Sequence, residues 1–199
     1  MELACATSNP GKLAEFRLAA EAVPGLPPVE IKLLPGFAAI PVPVEDGATF
    51  EENALIKARH YGRHSTGLLF ADDSGLVVDA LDGAPGVRSA RYSGAGATGQ
   101  SNNRLLLEKL RGVERRTAAF VCAIALVEGG EPVGVFRGRV EGVILEEPRG
   151  GNGFGYDPLF FYPPFGCTFG EAGEEAKFGV SHRGQAMREM LRYLARVAR

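Results

Sequence analysis

A four-residue apolar run, Leu3 to Ala6, breaks at Thr7-Ser8-Asn9-Pro10-Gly11. From Lys12 the apolar residues Leu13, Phe16, Ala20 and Val23 return at helical spacing, which predicts a helix over 12–23. A buried strand that turns at once into a helix opens a layered α/β fold, and the rest of the chain keeps that alternation. A Pro-rich passage from Pro24 to Pro43 holds a short strand at Ile31 to Leu34. Thr49-Phe50-Glu51-Glu52 has the form of a capping box and starts a helix that turns Ala54, Leu55, Ala58 and Tyr61 inward and frays near Gly62. Leu68 to Ala71 reads as a buried strand ending in Asp72-Asp73-Ser74-Gly75, with an extended run resuming over Leu76 to Ala80. Gly83 to Gly99 reads as a structured loop and Asn102 to Leu110 as a helix. Ala118 to Val127 and Val133 to Leu145 read as long paired strands joined around Glu128-Gly129-Gly130. A Gly-rich loop, Arg149 to Gly155, leads into an aromatic strand, Tyr156 to Tyr162. The last helix, Gln185 to Ala198, places Met187, Met190, Leu191, Leu194 and Val197 on one face and Arg188, Arg192, Arg196 and Arg199 on the other. The predicted class is α/β with a mixed sheet, in one domain.

Composition narrows the function. The 199 residues are 45% hydrophobic and 23% charged, with a formal charge of −2, so neither disorder nor a global field for nucleic acid is expected. An anionic ligand must therefore be held by a local cluster. Cys5, Cys122 and Cys167 are scattered and odd in number, and the first two lie in apolar runs, as reduced buried thiols do. The N-terminus lacks the features of a signal peptide, and the most apolar stretch, 118–127, is too short to span a bilayer. A cytoplasmic protein without membrane or nucleic-acid partners is the expectation.

Four motifs are able to carry chemistry. In Thr7-Ser8-Asn9-Pro10-Gly11-Lys12 the turn presents amides to one point at a helix start, which suits an anion, and Lys12 adds a full charge. The Walker pattern is absent, and a plain helix cap with an exposed lysine is the alternative. Of Asp72 and Asp73, adjacent residues on an extended backbone and so on opposite faces, one could bind Mg²⁺ or take a proton from water while the other anchors a turn. An Asp-rich turn without chemistry is the alternative. Ser181-His182-Arg183-Gly184 sets two potential cations at a helix start, where the dipole repels them unless an anion joins them; Lys177 lies just upstream. In Gly151-Asn152-Gly153-Phe154-Gly155-Tyr156-Asp157-Pro158, two rings could stack on a nucleobase and Asp157 could accept from its edge, or the rings simply belong to the core. Glu45 and Asp46 could join a metal site or be loop charges. His60 and His64 have the spacing of a zinc pair but no third ligand nearby, and read as a polar helix end.

In order along nearly the whole chain, these residues resemble the inosine/xanthosine triphosphate pyrophosphatase family. The match runs through Ala6 to Lys12, Thr49 to Ala54 with Lys57, Ala71 to Leu76, Gly83 to Val87, Ser89 to Gly94, Gly153 to Phe160 and Ser181 to Gly184. The resemblance implies an elongated two-lobed α/β fold around a long mixed sheet, with the nucleotide between the lobes of a single domain over 1–199. It implies a homodimer that uses Mg²⁺ to hydrolyse purine nucleoside triphosphates (ITP, dITP and XTP) to the monophosphate and pyrophosphate. By motif, Thr7, Ser8, Asn9, Pro10, Gly11 and Lys12 would cradle phosphates. Asp73 would be general base and metal ligand, with Glu45 a second candidate ligand, and Ser74 a substrate contact. Phe154, Gly155, Tyr156, Asp157, Lys177, His182 and Arg183 would hold the nucleotide, with the aromatic loop and His182-Arg183 nearest the base. The chain departs from the family at Val44-Glu45, where two acidic residues are usual, and near Lys177, where Ala176 and Gly173 thin an acidic run. A nucleotide binder without catalysis would keep the loop and the rings but would not need Asp73.

Overall fold

The computed structural model describes residues 1–21 and 29–197. Val23 and Pro24, expected at a helix end and in the Pro-rich passage, and Ala198 and Arg199, placed in the last helix, lie outside them. The described elements are β1 (Glu2–Cys5), α1 (Pro10–Glu21), β2 (Glu30–Leu33), α2 (Phe50–Gly62), β3 (Leu68–Val78), α3 (Gly99–Lys109), β4 (Thr117–Glu128), β5 (Glu131–Ile144), β6 (Phe160–Tyr162), β7 (Cys167–Thr168), α4 (Glu174–Val180) and α5 (His182–Val197). The strands form one seven-stranded sheet in the order β2-β1-β3-β4-β5-β6-β7. β1 runs parallel to β2, with Leu3 opposite Ile31, and parallel to β3, with Ala4 opposite Leu69. The β5–β6 and β6–β7 pairs are antiparallel, so the sheet is mixed, as expected. Gly129 and Gly130, both with positive φ, make the two-residue link from β4 to β5; residues with a Cβ would be strained there.

The chain divides into two compact units. The first comprises Met1–Asp73, Cys122–Gly138 and the segment from His182 onward. Its core joins Leu3 and Cys5 of β1, Phe16 of α1, Phe70 of β3, Ile124 and Leu126 of β4, and Met187, Met190, Leu191 and Leu194 of α5. Phe16 and Phe70 meet edge to face, with centroids 5.2 Å apart. Each such side chain, fully buried, contributes about 1.5–3 kcal/mol of transfer free energy. The second unit comprises Ser74–Val121 and Arg139–Ser181, with a core of Leu76, Val78, Leu106, Leu110, Phe120, Tyr156, Phe160 and Phe169. No helix among the described residues is long and apolar enough to cross a membrane.

The structure corrects several local expectations. β3 does not end at Asp72; it runs unbroken through Asp72-Asp73-Ser74-Gly75 to Val78. Both carboxylates find cations, so a strand can hold them, and a Cβ at Gly75 would overlap the Ser89 hydroxyl, so close packing accounts for that glycine. The aromatic strand is shorter than expected, since Tyr156 lies in a turn and pairing begins only at Phe160. α3 starts at Gly99, because Thr98 and Ser101 form a capping box of their own. α5 starts at His182, three residues before its expected start, and the short helix α4 precedes it. Leu55 is only half-buried on α2, where Asn53 takes the fully buried position. Val197 is 61% exposed because the apolar stripe of α5 runs out in its last turn.

Candidate active site

Within the first unit, two helices bring cations to the adjacent carboxylates of β3. α1 begins at Pro10, where Asn9 caps it: the Lys12 amide donates to Asn9 Oδ1 (3.2 Å), and the Asn9 amide donates to Thr7 Oγ1 (3.2 Å). Thr7 and Asn9 thus brace the loop itself, with Ser8 and Pro10 exposed and Gly11 half-buried. Lys12 Nζ donates to Asp72 Oδ2 at 2.8 Å. Burial alone would raise the Asp72 pKa, but Lys12, Lys57 and Arg183 outweigh it and hold the carboxyl below its ordinary value. Asp72 is therefore a fixed negative charge.

Asp73 faces a different set. Its capped helix, α2, carries Asn53 and Lys57 one turn apart on one face. Lys57 Nζ lies 2.9 Å from Asp73 Oδ1 and 3.0 Å from Glu45 Oε2, while Asn53 Nδ2 donates to Asp73 Oδ2 at 3.4 Å. Burial raises the Asp73 pKa, with Lys57 only partly opposing it. A carboxylate made more basic by desolvation is suited to taking a proton from water. Lys57 shows the reverse balance: burial would lower its pKa, but Asp73, Asp72 and Glu45 raise it, so it stays charged.

Arg183 does not stand exposed at the start of α5. It is buried, and its Nη1 donates to Glu15 Oε2 at 2.7 Å. The anion that the electrostatics of that helix start demanded is a side chain of α1. Burial would lower the Arg183 pKa, and Glu15 chiefly raises it. His182 is buried beside it at the first position of α5.

The second unit holds the Gly-rich loop. Asp157 is buried; its Oδ2 accepts from the Phe154 amide (2.8 Å) and from Lys177 Nζ (2.6 Å), and so fixes the loop that presents the Phe154 ring. The Lys177 ammonium lies 5.5 Å from the centre of that ring and 5.7 Å from that of Phe169. Gly153 has φ +73°, and a Cβ there would overlap Asp157, so glycine is required. Phe154 and Gly155 are half-exposed, but Tyr156 is core: its hydroxyl donates to the Ser89 carbonyl at 2.8 Å. Tyr156→Phe is expected to cost about 1 kcal/mol of stability with turnover unchanged, as thermal melts and steady-state kinetics would check. Ser74 follows Asp73 directly on β3, half-buried, as the first residue of this unit.

The metal reading can be tested on the donors present. No group of three or more His, Cys, Asp or Glu able to cage a metal occurs among the described residues. Glu45 and Asp73 nevertheless converge on one cation, the Lys57 ammonium. Mg²⁺ commonly takes one or two carboxylates and completes its shell with water and substrate phosphates, so the pair fits such an ion. Asn53 and Lys57 enter the sequence only through the family match, with no role assigned, and Glu15 not at all; the spacing of Asn53 and Lys57 on a capped helix is the signal that marks the first two.

A model of the Ham1 family matches residues 3–193. The dITP/XTP pyrophosphatase of Geobacter sulfurreducens is 53% identical over 188 residues, covering 93% of this chain and 92% of that protein. Its counterpart in Syntrophobacter fumaroxidans is 49% identical over 190 residues, covering 96% and 80%. Among solved structures, a HAM1 protein from Coxiella burnetii matches with a TM-score of 0.86 at 39% identity, over 98% of this chain and 99% of that one. The nucleoside-triphosphatase, dITP/XTP pyrophosphatase, from Mycobacterium abscessus matches with a TM-score of 0.72 at 45% identity, over 96% and 99%. With sequence, fold and nearly full length in agreement, the chain belongs to the Ham1 family.

Proposed function

We propose that this protein hydrolyses ITP, dITP and XTP to the monophosphate and pyrophosphate, removing non-canonical purines from the nucleotide pool. The observation that carries the reading is Asp73: a carboxylate made more basic by burial, anchored by Asn53, with Lys57 and Glu45 at its side. Asp73 orients a water and takes its proton as that water attacks the α-phosphorus in line. The loop Thr7 to Lys12 and the Lys12 ammonium receive the phosphates, since transfer of a phosphoryl group needs cations and oriented donors around the developing charge. Asp73 and Glu45 would hold Mg²⁺, which supplies positive charge to the triphosphate oxygens when bound. Hydrolysis in heavy-oxygen water should place the label in the monophosphate; label in pyrophosphate would exclude attack at the α-phosphorus.

The Phe154 ring, held by Asp157 and Lys177, stacks on the base, and Ser74 contacts the substrate. His182 and Arg183 complete the base contacts, with Arg183 oriented by Glu15. ITP and XTP carry an acceptor at the 6-position, where ATP carries a donor. A site that offers donors there leaves ATP donor against donor, and mismatches of that kind discriminate strongly. The expected result is rapid pyrophosphate release from ITP, dITP and XTP with Mg²⁺, little from GTP or ATP, and none in EDTA. Absence of release from all five would leave a nucleotide binder, and release of single phosphates would mean a different scissile bond. The same reading makes the active species a homodimer, for which light scattering should give about twice the chain mass of 21.1 kDa.

A further inference from the structure

Lys57 occupies an unusual place for a lysine. Its ammonium is within 3.0 Å of a carboxylate oxygen of Glu45 and within 2.9 Å of one of Asp73, and only 14% of its side chain is exposed. Asp73 and the loop that carries Glu45 have a support besides it. Asn53, one turn earlier on α2, accepts from the Gly47 amide (2.9 Å) and donates to the Gly47 carbonyl (3.3 Å), which fixes the backbone two residues from Glu45. The same carboxamide reaches Asp73 Oδ2. One buried side chain therefore holds the Asp73 carboxylate and the backbone next to Glu45, while the cation between the two carboxylates sits on a flexible four-carbon stem.

A divalent ion bound by Glu45 and Asp73 would lie about 2.0–2.1 Å from their oxygens if it were Mg²⁺. The ammonium already stands about one hydrogen bond from the same oxygens. Two cations cannot share that point, since like charges a few ångströms apart in a partly buried site repel strongly. We propose that Lys57 is an exchangeable counter-cation, displaced from Glu45 and Asp73 when a divalent ion loads. This rests on the assignment of those two residues as the metal holders. It follows that the protein alone takes the ion weakly. The ion loads together with a polyphosphate, whose negative charge offsets the repulsion.

The exchange is testable on the intact protein with Mn²⁺ as the probe. Electron paramagnetic resonance titration measures binding, and lysine acylation read by mass spectrometry measures how accessible each ammonium is. At saturating Mn²⁺, Lys57 should be acylated several times faster than without metal, while Lys12, held by Asp72, should change little. Lys57→Met should bind Mn²⁺ about tenfold tighter or more. Unchanged acylation of Lys57 at saturation, or weaker binding by Lys57→Met, would overturn the exchange. Should that variant fail to fold, the acylation of the unmodified protein decides alone. Glu45→Gln separates the premise from the proposal. If it binds Mn²⁺ as the parent does, the metal assignment fails and the exchange with it. If it loses binding while Lys57 acylation in the parent stays flat, the metal site stands and the exchange is wrong.

Discussion

Asp73→Asn should lower the turnover of ITP by about 10²–10⁴-fold, the usual contribution of a positioned general base, while the protein remains folded. Asparagine keeps the shape of the side chain and its oxygen can still accept from Asn53. What it loses is the capacity to take a proton. Lys57 keeps Glu45 at 3.0 Å, so no buried cation is stranded. The substitution also removes a carboxylate whose charge burial disfavours, which limits any loss of stability. The check is kcat from pyrophosphate release beside a thermal melt of the same preparation. Turnover within tenfold of the parent would take Asp73 out of the reaction, and a collapsed melt would make the kinetics uninformative, in which case Asp73→Glu supplies the second comparison.

Gly138→Ala is expected to be the most damaging single methyl group in the first unit. At this position β5 lies directly against the start of α5: an added Cβ would overlap the His182 carbonyl oxygen, 2.8 Å from the Ala186 nitrogen and 2.9 Å from Gln185 Cβ. Two of those three atoms are backbone, so no side chain can rotate away. Overpacking of this kind commonly costs about 1–3 kcal/mol and sometimes more, and the rigidity of the neighbours points to the top of that range. For a chain of this size a cost near 3 kcal/mol corresponds to a fall in Tm of roughly 6–12 °C. Because α5 begins with His182 and Arg183, activity should fall along with stability. A melt within 2 °C of the parent would show that strand and helix separate more easily than their packing implies.

The sequence is legible where one short stretch carries its own cause. The capping box at Thr49 and Glu52 forms as its spacing demands, and Met187, Met190, Leu191 and Leu194 bury the face that their periodicity marks. It is not legible where the cause lies far along the chain. Asp-Asp-Ser-Gly has the composition of a turn, yet it continues as strand because Lys12 and Lys57 neutralise its carboxylates from two other elements. Arg183 reads as an exposed cation awaiting a ligand, and its partner Glu15 is 168 residues away. Tyr156 has the look of a stacking residue, but its hydroxyl is committed to Ser89, 67 residues earlier. In each case electrostatic or hydrogen-bond demand was legible, and the group that meets it was not.

The side-by-side placement of Asp72 and Asp73 on one strand has a consequence for how this gene can change. One residue is depressed in pKa beside Lys12 and the other raised beside Lys57, and the alternation of β3 alone assigns them. Inserting a single residue between Leu68 and Phe70 would slide the strand by one place, setting Asp72 beside Lys57 and moving Asp73 into the place of Ser74. A point substitution in this stretch alters one side chain, but a one-codon frame-preserving indel displaces both carboxylates at once. Length polymorphism should therefore be confined to the connections around the strand, leaving its 11 residues constant in number even where their identities vary.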